Sequence, residues 1–256
     1  MGKPRVAIFD FACCEGCQLQ IVNLEEQLLD LVGAVEVVEW REAISNQSQE
    51  YDIAIVEGSI TRVEDEERLQ KIRSTAKILI ALGACATIGG INKLKNRFDT
   101  EDVKKIVYGK DAGMPHLDTA PTRAVDEVVK VDYKVHGCPI DRDEFTSVVR
   151  CLLMGKRPDI PEYPVCVECK AKGNACLWDY GQVCLGPVTR AGCGARCPSS
   201  GFRCFGCRGY SENPNVDAAR EVMEKYGLKV EELKRKMLLF GTGAESSKLP
   251  NNRTSK

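Results

Sequence analysis

Eight cysteines fall between residues 166 and 207, spaced Cys166-x2-Cys169-x6-Cys176-x7-Cys184-x8-Cys193-x3-Cys197-x6-Cys204-x2-Cys207. A stretch so dense in thiols, rich in glycine and without sustained apolar periodicity, is expected to build no apolar core and to draw its stability from bound metal. Disulfides are the competing use of so many thiols. The amino end, MGKPRVAIFDFACC, has no basic, apolar or cleavage region of a signal peptide and no twin arginine. No apolar run approaches the roughly 18 residues of a spanning helix. The chain is therefore expected to be soluble and cytoplasmic, where a reducing environment disfavours structural disulfides. With 36 basic against 37 acidic side chains, the net charge of −1 argues against nucleic acid or an anionic membrane as the main partner. Eight cysteines make two sites of four, and spacing alone leaves their pairing open. Neither C-x2-C is followed by histidine, which excludes the covalent haem motif, and the bacterial ferredoxin run is absent. A two-cluster electron conduit and a pair of zinc knuckles are the two readings.

The rest of the 256 residues is organised differently. RVAIFDF (5–11), VEVVEW (35–40), YDIAIVEG (51–58), KILIALGAC (77–85) and KVDYKVHGC (130–138) read as strands. QLQIVNLEEQLLDLV (18–32), EDEERLQKIRSTA (64–76), DTEDVKKIVYG (99–109) and DRDEFTSVVRCLLMG (141–155) read as helices between or after them. This alternation implies a flavodoxin-like, doubly wound α/β domain whose parallel sheet is covered on both faces, spanning 1–157. RPDIPEYP (157–164) reads as a linker, so 158–210 forms a Cys-rich segment. Residues 211–256 form a helical tail, through 215–227 and 230–240, with a polar end.

Six more cysteines lie in the first domain. Cys14 and Cys17 follow the first strand, Cys85 ends the strand 77–83, and Cys138 follows the strand at 130–136. The carboxyl ends of parallel strands share one edge, where ligands bind, so these four thiols are expected to converge. Four thiolates suit zinc or a cubane iron–sulfur cluster, and assembly from distant strand ends favours the cluster. Glu57 ends a strand on the same edge. It reads either as an acid supporting the cluster or relaying protons, or as a solvated loop carboxylate or helix cap. Cys13 adjoins a ligand and reads as a tuner of the cluster or a spectator, while Cys151 reads as a buried core thiol. His116 reads as a surface residue, and His136 as a hydrogen-bonding neighbour of the cluster or a satisfied strand-end residue. GACATIGG forms no phosphate loop or dinucleotide fingerprint, and no nucleophile elbow is present.

C-E-G-C at 14–17, GACATIGG around Cys85, HGCP around Cys138, VEGS around Glu57 and CLWDYGQVCLGPVTRAGC from Cys176 together resemble the small, electron-transferring subunit of nickel–iron hydrogenases. The likeness is to the cytosolic multi-subunit kind that includes sulfhydrogenase delta and methanogen viologen-reducing hydrogenase subunits. It extends to about Gly209. The resemblance implies a proximal cluster on Cys14, Cys17, Cys85 and Cys138, and a distal one on Cys166, Cys169, Cys176 and Cys184. A medial cluster would take Cys193, Cys197, Cys204 and Cys207. Periplasmic relatives often have histidine as the first distal ligand, where Cys166 stands here. Cys197 supplies a fourth medial thiolate where those relatives commonly have proline, so three 4Fe–4S clusters are implied. Cys13 stands where many relatives carry an acid. Proton exit through that acid would here need Glu15 or the large subunit instead. The Cys13–Cys14 pair also resembles the cluster subunit of respiratory complex I, but Cys17 and the second Cys-rich segment weigh against complex I itself.

The function implied is that of an electron wire. The nickel–iron centre is expected only in a partner large subunit. Electrons would pass through this chain to flavin or iron–sulfur subunits serving NAD(P), ferredoxin or another carrier. The chain itself shows no catalytic constellation. The rival readings are a free-standing or complex I-like iron–sulfur reductase, and one cluster beside a structural zinc module.

Overall fold

A computed structural model describes residues 2–113, 116 and 118–240. The first strand, β1 (Arg5–Asp10), is followed by two short helices, α1 (Gly16–Val22) and α2 (Glu26–Ala34), and by β2 (Glu36–Trp40). Next come β3 (Ile53–Glu57), α3 (Val63–Thr75), β4 (Ile78–Leu82), α4 (Gly83–Ile88), α5 (Thr100–Tyr108), β5 (Tyr133–Val135) and α6 (Arg142–Leu153). The five strands form one parallel sheet in the order β2-β1-β3-β4-β5. This is the flavodoxin-like order expected from the alternating pattern.

Both faces of the sheet are covered, which explains the near-continuous apolar strands. Val6, Ile8, Ile55 and Ile80 pack against Ile21, Leu24, Phe145 and Val148 on one side. Ala7, Val56, Leu79 and Ala81 pack against Leu69 and Ile72 of α3 on the other. The strand ends are in register: Asp10 lies beside Glu57, Glu57 beside Leu82, and Leu82 beside Val135. All four following loops therefore leave the sheet at one level.

Two elements differ from expectation. The stretch 18–32, whose apolar period reads as one helix, is broken at Asn23–Glu25, where Glu25 takes a φ of 56°. Arg142 donates to the Asn23 carbonyl at 2.7 Å and so satisfies the end of α1 from another helix. The strand expected over 130–138 pairs only across Tyr133–Val135. Just before it, the Asp132 side chain accepts from the Leu79 N–H at 2.8 Å and from Arg73 at 2.6 Å.

The Cys-rich segment contains α7 (Val165–Ala171) and a single turn, α8 (Arg196–Ser199). The tail contributes α9 (Val216–Lys225) and α10 (Val230–Met237). Contrary to the expectation of a coreless segment, Val165, Trp178, Val183, Leu185 and Val188 form an apolar cluster with Ala219, Met223, Leu233 and Met237 of the tail. The missing apolar residues are supplied by helices that follow in sequence. The 3-10 turn at Leu238–Phe240 then returns to the first domain and touches the turn at Ile91–Arg97. Among the described residues, no helix is long and apolar enough to cross a membrane.

Candidate metal centre

The front group of thiols gathers at the carboxyl edge of the sheet. Cys14 and Cys17 stand at the start of α1, Cys85 lies in α4 immediately after β4, and Cys138 follows β5. The Ala84 N–H donates to the Gly137 carbonyl at 2.7 Å, tying the Cys85 helix to the Cys138 loop. Burial pushes the Cys85 thiol up to about 12, and the charges of Cys138 and Cys14 push in the same direction. Burial likewise raises Cys17, with Glu57 and Cys138 adding to it, and raises Cys138, with Cys14 adding to it. The four sulfurs therefore feel one another across a small space. Gly83 marks how small: it has a φ of +80°, and a Cβ there would overlap the Cys17 sulfur.

Glu57 is 2% exposed, which removes the solvated-loop reading. The N–H of Cys17 donates to its Oε1 at 3.0 Å, and the N–H of Gln18 to its Oε2 at 3.2 Å. A carboxylate from the neighbouring strand thus caps the first turn of α1 and fixes where Cys17 points. Cys13 is half-buried; burial pushes its thiol up to about 12, with Glu57 the next contributor. Glu15 pairs with Arg41 at 3.3 Å, and Arg41 also holds Asp10 at 2.8 Å.

The remaining eight thiols fall into two groups. Cys166 and Cys169 lie on α7, with Cys176 and Cys184 in the loops that follow. Burial pushes Cys166 up to about 12, with Cys184, Cys169 and Cys176 contributing in that order. A Cβ on Gly186 would stand 3.1 Å from the Cys166 sulfur and 3.6 Å from that of Cys184. These four form an end group. Cys197 feels Cys193; Cys204 feels Cys184 and Cys207; Cys207, which burial pushes up to about 11, feels Cys193 and Cys138. Cys193, Cys197 and Cys207 thus neighbour one another, and Cys204 stands between Cys207 and Cys184; these four are the middle group that the resemblance implies. Its contacts reach both others. The Cys138 backbone and thiol lie close enough to Cys207 to shift its titration, and the Cys204 N–H donates to the Cys184 sulfur at 3.1 Å.

Four-thiol groups pressed against glycine backbone fit a bulky inorganic cluster, since only glycine at 83 lets the Cys17 sulfur sit where a Cβ would stand, and Gly186 lets the chain pass close to the Cys166 and Cys184 sulfurs. Among the described residues, no three His, Cys, Asp or Glu side chains gather closely enough to hold a single metal ion.

Several expectations away from the twelve thiols change. Cys151 is half-buried on α6 rather than fully buried in the core. His116 is exposed, as expected of a surface residue. His136 is 7% exposed with no hydrogen-bond partner for Nδ1; burial, then Arg208, Arg190 and Lys134, hold it well below the usual histidine range. Two polar residues of the site carried no signal in the sequence. Glu168, between Cys166 and Cys169, accepts the N–H groups of Gly192 and Ala195 at 2.8 and 3.0 Å, flanking Cys193. Arg208 is buried at the junction with the first domain.

Residues 14–152 match the family model described as NADH ubiquinone oxidoreductase, 20 Kd subunit. The sulfhydrogenase 2 subunit delta of Pyrococcus furiosus is 37% identical over 238 residues, covering 92% of this chain and 98% of that protein. A subunit of the F420-non-reducing hydrogenase of Methanococcus voltae is 34% identical over 241 residues, covering 82% of this chain and 83% of that one. Among solved structures, a chain of an NAD+-reducing [NiFe]-hydrogenase in the H2-reduced state superposes with a TM-score of 0.57 at 29% identity, covering 62% of this chain and 96% of that one. With the sheet order, the strand-end thiols and these likenesses together, the chain belongs to the NADH ubiquinone oxidoreductase 20 kDa subunit family and, within it, to the small subunits of nickel–iron hydrogenases of the sulfhydrogenase delta kind.

Proposed function

We propose that this hydrogenase subunit carries electrons between the H2-activating site of a large subunit and a flavin or iron–sulfur partner serving NAD(P), ferredoxin or another carrier. In this reading Cys14, Cys17, Cys85 and Cys138 hold a proximal 4Fe–4S cluster. Cys193, Cys197, Cys204 and Cys207 hold a medial one, and Cys166, Cys169, Cys176 and Cys184 a distal one. Such clusters, when bound, supply one-electron carriers whose potentials span about −700 to +450 mV according to their surroundings. The observation that carries the reading is the serial contact between groups, Cys138 to Cys207 and Cys204 to Cys184. A set of independent structural metal sites has no need of groups placed side by side in series.

The chain's own residues contribute burial and hydrogen bonds to sulfur, both of which set potential. The Cys204 N–H donates to the Cys184 sulfur at 3.1 Å, and the backbone at Ile140 and Gly206 offsets part of the burial effect on the Cys17 and Cys204 thiols. Glu57 holds the turn that presents Cys17.

The test is a count of iron, acid-labile sulfide and zinc on protein purified without oxygen, with nickel measured on any co-purifying partner. Three four-iron clusters require about twelve iron and twelve sulfide per chain with negligible zinc. About four iron with two zinc would replace the end and middle groups by a structural zinc module, and the relay would fall.

A further inference from the structure

Arg208 follows Cys207, and its side chain is 1% exposed; its ion-pair partner Glu144, on α6 of the first domain, is 7% exposed. The guanidinium spends its donors on three separate segments. Nε donates to the Ala191 carbonyl at 2.7 Å, Nη1 to the His136 carbonyl at 2.6 Å, and Nη2 to Glu144 Oε1 at 2.6 Å. Ala191 lies two residues before Cys193 of the middle group, and His136 two residues before Cys138 of the front group. One rigid side chain therefore grips the backbone beside both groups, next to Cys207 on one side and two residues from Cys138 on the other.

The surrounding loop is shaped to this pair. Gly192 passes directly against it, with a φ of +110°, and a Cβ there would overlap both the Arg208 guanidinium and the Glu144 carboxylate. From α7 and its end, Glu168 takes the N–H groups of Gly192 and Ala195, and the Lys172 ammonium donates to the Gly194 carbonyl. The loop carrying Cys193 is thus clasped from two elements.

A buried ion pair is a poor stability device, because desolvation offsets most of the attraction. What a guanidinium supplies here is a planar fork of fixed geometry, which a lysine cannot reproduce. We infer that Arg208, anchored by Glu144, is a positioning residue that sets the separation and orientation of the proximal and medial clusters, and so the rate at which electrons cross between them. This inference rests on the relay reading above.

The experiment substitutes Arg208→Lys in the complex purified with its partners under anaerobic conditions. Three quantities are compared with the unsubstituted complex: iron and sulfide per chain, the spin–spin splitting between the two reduced clusters by electron paramagnetic resonance, and the rate of H2-driven reduction of the medial cluster. The expected result is full iron content, altered splitting, and reduction slowed ~10–100-fold, the range seen when partners behind metal ligands are removed. Should Arg208→Lys lose iron, Glu144→Asp carries the same comparison. It keeps the charge pair and shortens the anchor by one methylene, and altered splitting at full iron is again expected. Unchanged splitting and rate in whichever variant retains full iron overturns the assignment, as does iron loss from both. An iron count on the unsubstituted complex that falls short of three clusters removes the relay reading and takes this inference with it.

Discussion

Glu57 receives two backbone N–H groups, and among the described residues no ion pair reaches it. The Glu57 carboxyl is thereby fixed beside thiols that must themselves lose protons to bind metal, and a negative charge at that place would favour the more oxidised state of any cluster there. Glu57→Gln keeps the shape but turns an amide N–H2 toward one of the two donors. The expected cost is about 1–3 kcal/mol of stability, read as a lowered midpoint in thermal unfolding of the loaded protein. The nearest cluster should also titrate at a higher midpoint potential; an unmoved potential would show that the carboxylate acts only as a cap. Cys85→Ser should abolish H2-dependent dye reduction and leave the spectra of the other two clusters largely intact. Simultaneous loss of all three signals would contradict separate sites. The raised thiols also give a pH prediction for the metal-free chain. Burial lifts Cys85 and Cys166 from 9.0 to about 12, so the folded state keeps protons that the unfolded state releases. Stability from these groups is complete below pH 9 and falls as pH rises from there toward about 12. Urea midpoints of metal-free protein at pH 7.5 and pH 10 should show the decline.

At the level of elements, the two edges of the sheet have opposite duties. The amino edge is pinned by carboxylates: Asp52 accepts the Arg5 N–H at 2.9 Å and pairs with Lys77 at 2.7 Å, and Asp132 takes the Leu79 N–H. The carboxyl edge carries the front cysteines, with Glu57 turned to hold the helix that presents them. The Arg5 N–H, then Lys77, hold Asp52 below the usual carboxylate range, so its contribution is present above that range and is lost as pH falls through the lowered value. Asp52→Asn should therefore cost up to about 1 kcal/mol at neutral pH and less in acid, measured by denaturant midpoints at pH 7 and pH 2.5. Much of this architecture was readable in advance. Ile53–Glu57 and Ile78–Leu82 are apolar throughout because both sheet faces are covered, and Asp99, Asp141 and Asn215 announce helix starts that they do cap. Parallel strand ends made the meeting of Cys14, Cys85 and Cys138 foreseeable. The break between α1 and α2 was not, because the leucine period runs straight through a stop enforced by Arg142, 119 residues away. Glu168 and Arg208 were equally silent. Each is a polar residue in an aperiodic stretch, and their partners lie 24 and 64 residues off in sequence.

At the scale of the whole molecule, the tail completes the Cys-rich half rather than trailing from it. Met223 is fully buried against that half, in the same cluster as Trp178 and Cys184. Met223→Ala should cost about 2–5 kcal/mol. The loss should fall unevenly, with iron leaving the middle and end groups while the front cluster's signal persists, as followed by iron count and paramagnetic resonance during thermal challenge. Equal loss from all three groups would mean that the two halves unfold as one. A final consequence follows from the order in which the thiol groups occur. Along the chain the end group (166–184) precedes the middle group (193–207), yet in space the middle group lies between the other two. As the polypeptide leaves the ribosome, both outer groups emerge before the one that joins them. A chain cut short between residues 185 and 192 would carry every thiol of the two outer groups and none of the middle one, so in the relay proposed above the bridging thiols are the last to be synthesised.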